Sequence, residues 1–141
     1  MSQPAPDHLI ALPVHRATLD KLDDELRRYA TRAGVDDQTQ KRLRLILEEL
    51  VTNSLHYGQC AGAAIEIRLR QEPDGIHIEY RDPGIAFDPT REAPEDGVDL
   101  PLDARRVGGL GWTLIRSLCR EIRYQREAHA NHLRMLLPSG S

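Results

Sequence analysis

Two runs of strictly alternating apolar and polar residues sit back to back. Ile65, Ile67 and Leu69 alternate with Glu66, Arg68 and Arg70; after Glu72-Pro73-Asp74-Gly75, Ile76, Ile78 and Tyr80 alternate with His77, Glu79 and Arg81. A period of two puts each apolar set on one face of a strand, and a Pro-Asp-Gly turn between such runs closes an antiparallel hairpin. Residues 64–81 therefore form a hairpin with one buried face. The rest of the chain has to supply what covers that face.

The stretch best suited to cover it is Leu43 to Gly58. Its Leu43, Ile46, Leu47, Leu50, Ser54 and Tyr57 follow helical spacing, and Gly58 is a stop signal. A second helix begins at Thr18, carries Leu19, Leu22, Leu26 and Tyr29, and ends at Gly34; Asp36 or Asp37 caps the helix after it. His8 to His15 has the pattern of a short strand, with Pro13 favouring a sheet edge. Gly108-Gly109-Leu110-Gly111 opens a third helix bearing Leu114, Ile115, Leu118 and Cys119. Ile122 and Tyr124, then Leu133, Met135 and Leu137 after a turn near 129–131, give a closing hairpin. The order β-α-α-β-β-loop-α-β-β predicts an α+β fold: a two-layer sandwich of a mixed, mainly antiparallel sheet with helices on one face. Residues 1–7 read as a disordered lead and 8–138 as one domain, in keeping with 141 residues.

Composition narrows the function. With 19 basic against 22 acidic residues and 4% aromatics, the chain has neither the positive footprint nor the stacking surface that a polynucleotide requires. Cys60 and Cys119 fit neither a disulfide framework nor a metal-ligand spacing and read as small buried thiols in a reducing compartment. Met1 to Asp7 lacks a basic segment followed by an apolar run, and no stretch approaches the ~18 apolar residues of a membrane span. A cytoplasmic protein with no membrane partner is expected.

Chemistry-bearing residues fall in three places. On the long helix, Glu49 and Asn53 lie one above the other on the shoulder of the apolar stripe. Glu48 has Arg44 four residues earlier as a partner on the wet face, whereas Glu49 has no basic residue within reach on its own helix. A carboxylate half out of water without a counter-charge tends to a raised pKa and is a candidate proton acceptor; a boundary glutamate paired across elements would look the same. Asp82-Pro83-Gly84, at the end of the hairpin, sets an acceptor carboxylate beside a glycine that admits a flat ring with an amino donor, or else simply caps the strand. Gly108, Gly109 and Gly111 put unhindered N–H groups at a helix start, which suits a phosphate and equally suits a turn without a ligand. No lysine follows as in a P-loop, and no early strand precedes as in a Rossmann unit. Residues 88–107 form a long loop rich in Pro, Gly and acid.

In order and spacing, Glu49 with Asn53, Asp82 with Gly84, and the three glycines resemble the boxes of the GHKL (Bergerat-fold) ATP-binding proteins. The resemblance is closest to the anti-sigma-factor serine kinases of the RsbW type; it spans about residues 10–137 and includes Glu-Leu-Val-Thr-Asn, Phe-Asp-Pro and Gly-Gly-Leu-Gly. It implies that Asn53 helps hold Mg²⁺ against the phosphates of ATP, that Glu49 is the base, and that Asp82, with Gly84 beside it, accepts the adenine amino group. It also implies that Gly108, Gly109 and Gly111 close over the phosphates and that residues 88–107 form the ATP lid. Arg105 and Arg106, at the end of that lid, are placed to meet the terminal phosphate or to be a solvated basic pair. Trp112 and Tyr57 depart from the family pattern, which more often has a small aliphatic residue and a histidine there.

The activity implied is that of a protein-serine kinase, phosphorylating a STAS-type anti-anti-sigma protein and controlling whether a sigma factor is held. A homodimer through the sheet edge beside Pro13 is implied as well. Two alternatives stand beside it: a non-catalytic ATP-dependent interaction module, and the catalytic part of a split histidine kinase.

Overall fold

The expected hairpin lies at the middle of the sheet. The computed structural model describes residues 8–13, 18–57, 64–86, 88, 90 and 110–139. Its elements are β1 (His8–Leu12), α1 (Thr18–Ala33), α2 (Asp37–Tyr57), β2 (Ile65–Glu72), β3 (Gly75–Asp82), α3 (Leu110–Leu118), β4 (Arg120–Glu127) and β5 (Ala130–Pro138). The five strands run in the order β1-β2-β3-β5-β4, and all four pairings are antiparallel. The parallel component of a mixed sheet is therefore not found among the described strands.

Register explains the core. Ile67 stands opposite Tyr80, Leu69 opposite Ile78, and Tyr80 opposite Leu133, so every inward residue of one strand meets an inward residue of the next. Against that face pack Leu43, Ile46, Leu47, Leu50 and Val51 of α2, Leu22, Leu26 and Tyr29 of α1, and Trp112 and Ile115 of α3. Each such side chain contributes about 1.5–3 kcal/mol by leaving water, which makes α2 the main cover of the sheet. The opposite face is charged and exposed. Arg68–Glu79 at 3.6 Å, Arg81–Glu66 at 3.5 Å and Arg134–Glu79 at 3.3 Å link neighbouring strands there. Exposed pairs of this kind contribute little to stability and keep the face soluble.

Local chemistry sets the element ends. Gly34 adopts φ +70° after α1, and the Val35 N–H reaches back to Ala30 O at 3.0 Å, a Schellman closure. Of the two candidate caps for α2 it is Asp36 that acts, its Oδ1 accepting the Thr39 N–H at 3.1 Å. The buried stripe of α1 is Thr18, Leu22, Leu26, Tyr29 and Ala30. Leu19, expected on that stripe, is 36% exposed; Thr18 takes the inward place and its hydroxyl donates to Pro13 O. β1 stops at Leu12 rather than at 15, because Pro13 cannot extend the ladder. The closing turn is Ala128-His129, both at positive φ, one position before the expected one. Cys119 lies just past α3, where burial pushes its thiol up to about 12, so it stays unreactive. Residues 1–7, Gly58 and Cys60 lie outside the described residues.

Gly75, at φ +143°, joins the β2–β3 turn to the sheet, and a Cβ there would lie 2.8 Å from Pro138 Cα and 2.9 Å from Ser139 N. Gly75→Ala should therefore lower unfolding stability by about 1–3 kcal/mol through forced backbone movement, measured by chemical denaturation.

Candidate functional site

The C-terminal half of α2 has two neighbours, and each carries one of the expected boxes. On one side, α3 begins against Glu49. A Cβ on Gly111 would lie 2.7 Å from Glu49 Cδ, so a larger residue there would push the carboxylate aside. Burial, then the adjacent Glu48 charge, push the Glu49 carboxyl above its usual 4.5. Glu48 is itself held by Arg44, whose Nε lies 3.0 Å from Glu48 Oε1 and 3.2 Å from Asp23 Oδ1 on α1. No ion pair reaches Glu49 among the described residues, as its sequence neighbours suggested.

One turn further along α2, Asn53 is half-buried, and its Oδ1 has no hydrogen-bond partner among the described residues. A buried carbonyl oxygen in that condition is costly unless it serves a ligand or a water. Among the described residues no three His, Cys, Asp or Glu side chains cluster as a metal site. A hard cation would therefore have to combine the Asn53 oxygen with oxygens of its own ligand, the usual habit of Mg²⁺ at phosphates.

On the other side of α2 lies the end of β3. Asp82 is buried, its Oδ2 accepting the Ser54 hydroxyl at 2.5 Å and its Oδ1 accepting the Gly84 N–H at 2.6 Å. Ser54 Oγ also lies 2.7 Å from Tyr80 OH, whose single proton serves either Ser54 Oγ or Leu50 O at 3.1 Å. The polar group Tyr80–Ser54–Asp82 thus ties α2 to β3 inside an otherwise apolar layer. Beyond Asp82 the chain turns through Gly84 and the half-exposed Ile85.

Ser54, expected as part of an apolar stripe, instead joins α2 to β3 through its hydroxyl. The available signal was the hydroxyl itself: a serine on a core-facing helix position needs a polar partner, and Tyr80 and Asp82 were the inward polar residues of the facing strand. Glu49, Asn53, Asp82, Gly84 and Gly111 are brought to one end of the α2–sheet layer. Gly108, Gly109, Arg105, Arg106 and all of the expected lid but Asp88 and Thr90 lie outside the described residues.

An antiparallel sheet covered by helices on one face, with a helix carboxylate facing a glycine-started helix and a buried strand-end aspartate, defines an ATPase-type α/β sandwich. Residues 12–137 match the family model of the histidine kinase-like ATPase domain, and the chain belongs to that family. It is 33% identical over 103 residues to the serine/threonine-protein kinase BtrW of Bordetella bronchiseptica, covering 69% of this chain and 72% of that protein. Among solved structures, the SiaB–SiaC complex from Pseudomonas aeruginosa superposes with a TM-score of 0.63 over 91% of this chain and 86% of that one, at 16% identity. The expected fold and family are thereby established, and ATP and kinase chemistry follow at family level. Among the described residues no helix is long and apolar enough to cross a membrane.

Ser54→Ala would leave Tyr80 and Asp82 without the hydroxyl between them. We expect a loss of about 1–3 kcal/mol in unfolding free energy, the contribution of a buried hydrogen bond to a carboxylate, measured by urea titration.

Proposed function

We propose that this protein binds ATP with Mg²⁺ and transfers the terminal phosphoryl group to a serine of a STAS-type anti-anti-sigma protein, in a partner-switching pathway that governs a sigma factor. The observation that carries the reading is the lodging of the Glu49 carboxylate against Gly111, one helical turn from the Asn53 oxygen, neither of them with a partner among the described residues. Membership of a kinase-like ATPase family and likeness to a protein named as a serine/threonine kinase support it.

Phosphoryl transfer asks a protein mainly to position groups and neutralise charge. Asn53 would help hold Mg²⁺, which would supply positive charge to neutralise the phosphates. Asp82 would accept the adenine amino group, its orientation fixed by Ser54 and by the Gly84 amide. Gly108, Gly109 and Gly111 would line the phosphates with N–H groups, and Arg105 or Arg106 would meet the terminal one. Glu49 would take the proton of the incoming serine hydroxyl, a task for which a pKa nearer neutrality is an advantage. Among the described residues no basic side chain pairs with it.

The chain is expected to label a serine on a cognate STAS protein when incubated with labelled ATP; labelling of no such protein from the same genome would sink the proposal. Glu49→Gln should keep ATP affinity while lowering transfer at least ~10²-fold. A variant that regulates its partner unchanged would instead make the protein a non-catalytic binding module.

The pH dependence has a definite sign. The base acts as carboxylate, so the rate should fall as pH drops through a pKa raised above 4.5 by burial and by Glu48. Glu48→Gln removes the like charge and should move that acid limb to lower pH in a rate–pH profile.

A further inference from the structure

The turn that leaves β3 has to satisfy its backbone groups at the edge of the site. Its amide side is tied locally, the Gly84 N–H donating to Asp82 Oδ1 at 2.6 Å. Its carbonyl side is tied to the closing hairpin. Arg126 Nη1 donates to Gly84 O at 2.8 Å, and Asn131 Nδ2 donates to Ile85 O at 2.7 Å.

Register places these groups. Asp82 on β3 pairs with Asn131 on β5, and Asn131 pairs with Arg126 on β4, so the three lie in one row across the sheet. The Asn131 amide is itself steered, its Oδ1 accepting the Tyr124 hydroxyl at 2.6 Å and Arg126 Nη1 at 3.2 Å. Two donors on that oxygen decide which end of the amide faces the turn. A flipped amide would set its oxygen against Ile85 O and its NH₂ against Arg126. The bond from Arg126 is charge-assisted, and its far end is an exposed residue of an edge strand.

The turn is thus gripped from three elements: α2 through Ser54 and Asp82, β5 through Asn131, and β4 through Arg126. Its orientation decides where the Asp82 acceptor and the exposed Ile85 side chain point. A carboxylate acceptor suits the amino group of adenine and opposes the carbonyl that guanine carries at the same place. Discrimination of that kind depends on the acceptor being held in one direction.

We propose that Arg126 and Asn131 are positioning residues for base recognition, holding the Asp82–Ile85 turn so that it selects adenine, without touching the nucleotide themselves. The proposal rests on the ATP-binding reading above.

Arg126 is exposed, so Arg126→Ala should fold with an unfolding temperature close to wild type. In the nucleotide-free variant the Gly84 amide, which donates to Asp82 Oδ1, should exchange about 3- to 10-fold faster, the loss expected for one hydrogen bond. By calorimetry ATP should bind more weakly by a similar factor, and the preference for ATP over GTP should shrink. Arg126→Lys, which retains one donor, should recover part of both. ATP binding with wild-type exchange and an unchanged ATP-to-GTP ratio in Arg126→Ala would overturn the clamp and leave the kinase reading standing. A wild-type protein that binds neither nucleotide would overturn that reading and the base-selecting role together, even if the turn still loosened in the variant.

Discussion

A buried carboxylate at the end of a central strand is the constraint around which this end of the molecule is arranged. Asp82 leaves water at the point where β3 ends, and an ion so placed is tolerable only with hydrogen bonds to replace its hydration. Ser54 and the Gly84 amide supply them. Because Ser54 belongs to α2, satisfying Asp82 also fixes the helix along its axis against the sheet. That in turn sets where Glu49 and Asn53 come to rest. The same contact therefore serves the fold and the site, with the apolar layer around it providing most of the energy and the polar chain providing the register.

That division explains what was legible in the sequence. The hairpin of residues 65–82 and the stripe of α2 could be read because burial on one face forces a period, and a one-residue slip would turn every isoleucine outward. Asp82 and Gly84 could be read because an Asp-Pro-Gly turn after a strand is a local pattern. Ser54, Tyr80, Asn131 and Arg126 could not be assigned their partners, since each acts across the sheet or between layers and nothing local records which residue will face it. Leu19 was misplaced for a related reason: helical spacing alone does not say where a stripe begins, and Thr18 satisfies its hydroxyl on Pro13 O while filling the inward place. That every pairing among the described strands is antiparallel also escaped the sequence, because the β1 and β5 partners are settled by crossovers rather than by periodicity.

Glycine at position 111 shows how the site limits its own stability. A larger residue would extend the α3 start at a lower entropic cost in the unfolded chain, but its Cβ would displace the Glu49 carboxylate. Close approach is kept at that expense. It also shields Glu49 from solvent, and shielding is the first cause of its raised pKa. The chemistry proposed for the base and the backbone freedom of a residue far along the chain are thus one geometric fact.

Trp112 extends the same argument. As a departure from the family pattern it raised a question about the shape of the site, and the structure answers by burying the indole in the core cluster with Arg116 5.9 Å above the ring. Its Nε1, like Asn53 Oδ1, has no hydrogen-bond partner among the described residues. Both orphaned atoms belong to α2 and α3, the two helices that meet at Glu49 and Gly111. Tyr29 Oη on α1 is in the same condition, so such atoms are spread over the helical layer; Asn53 differs from the others in lying one helical turn from the Glu49 carboxylate, where an oxygen able to serve a ligand would be of use.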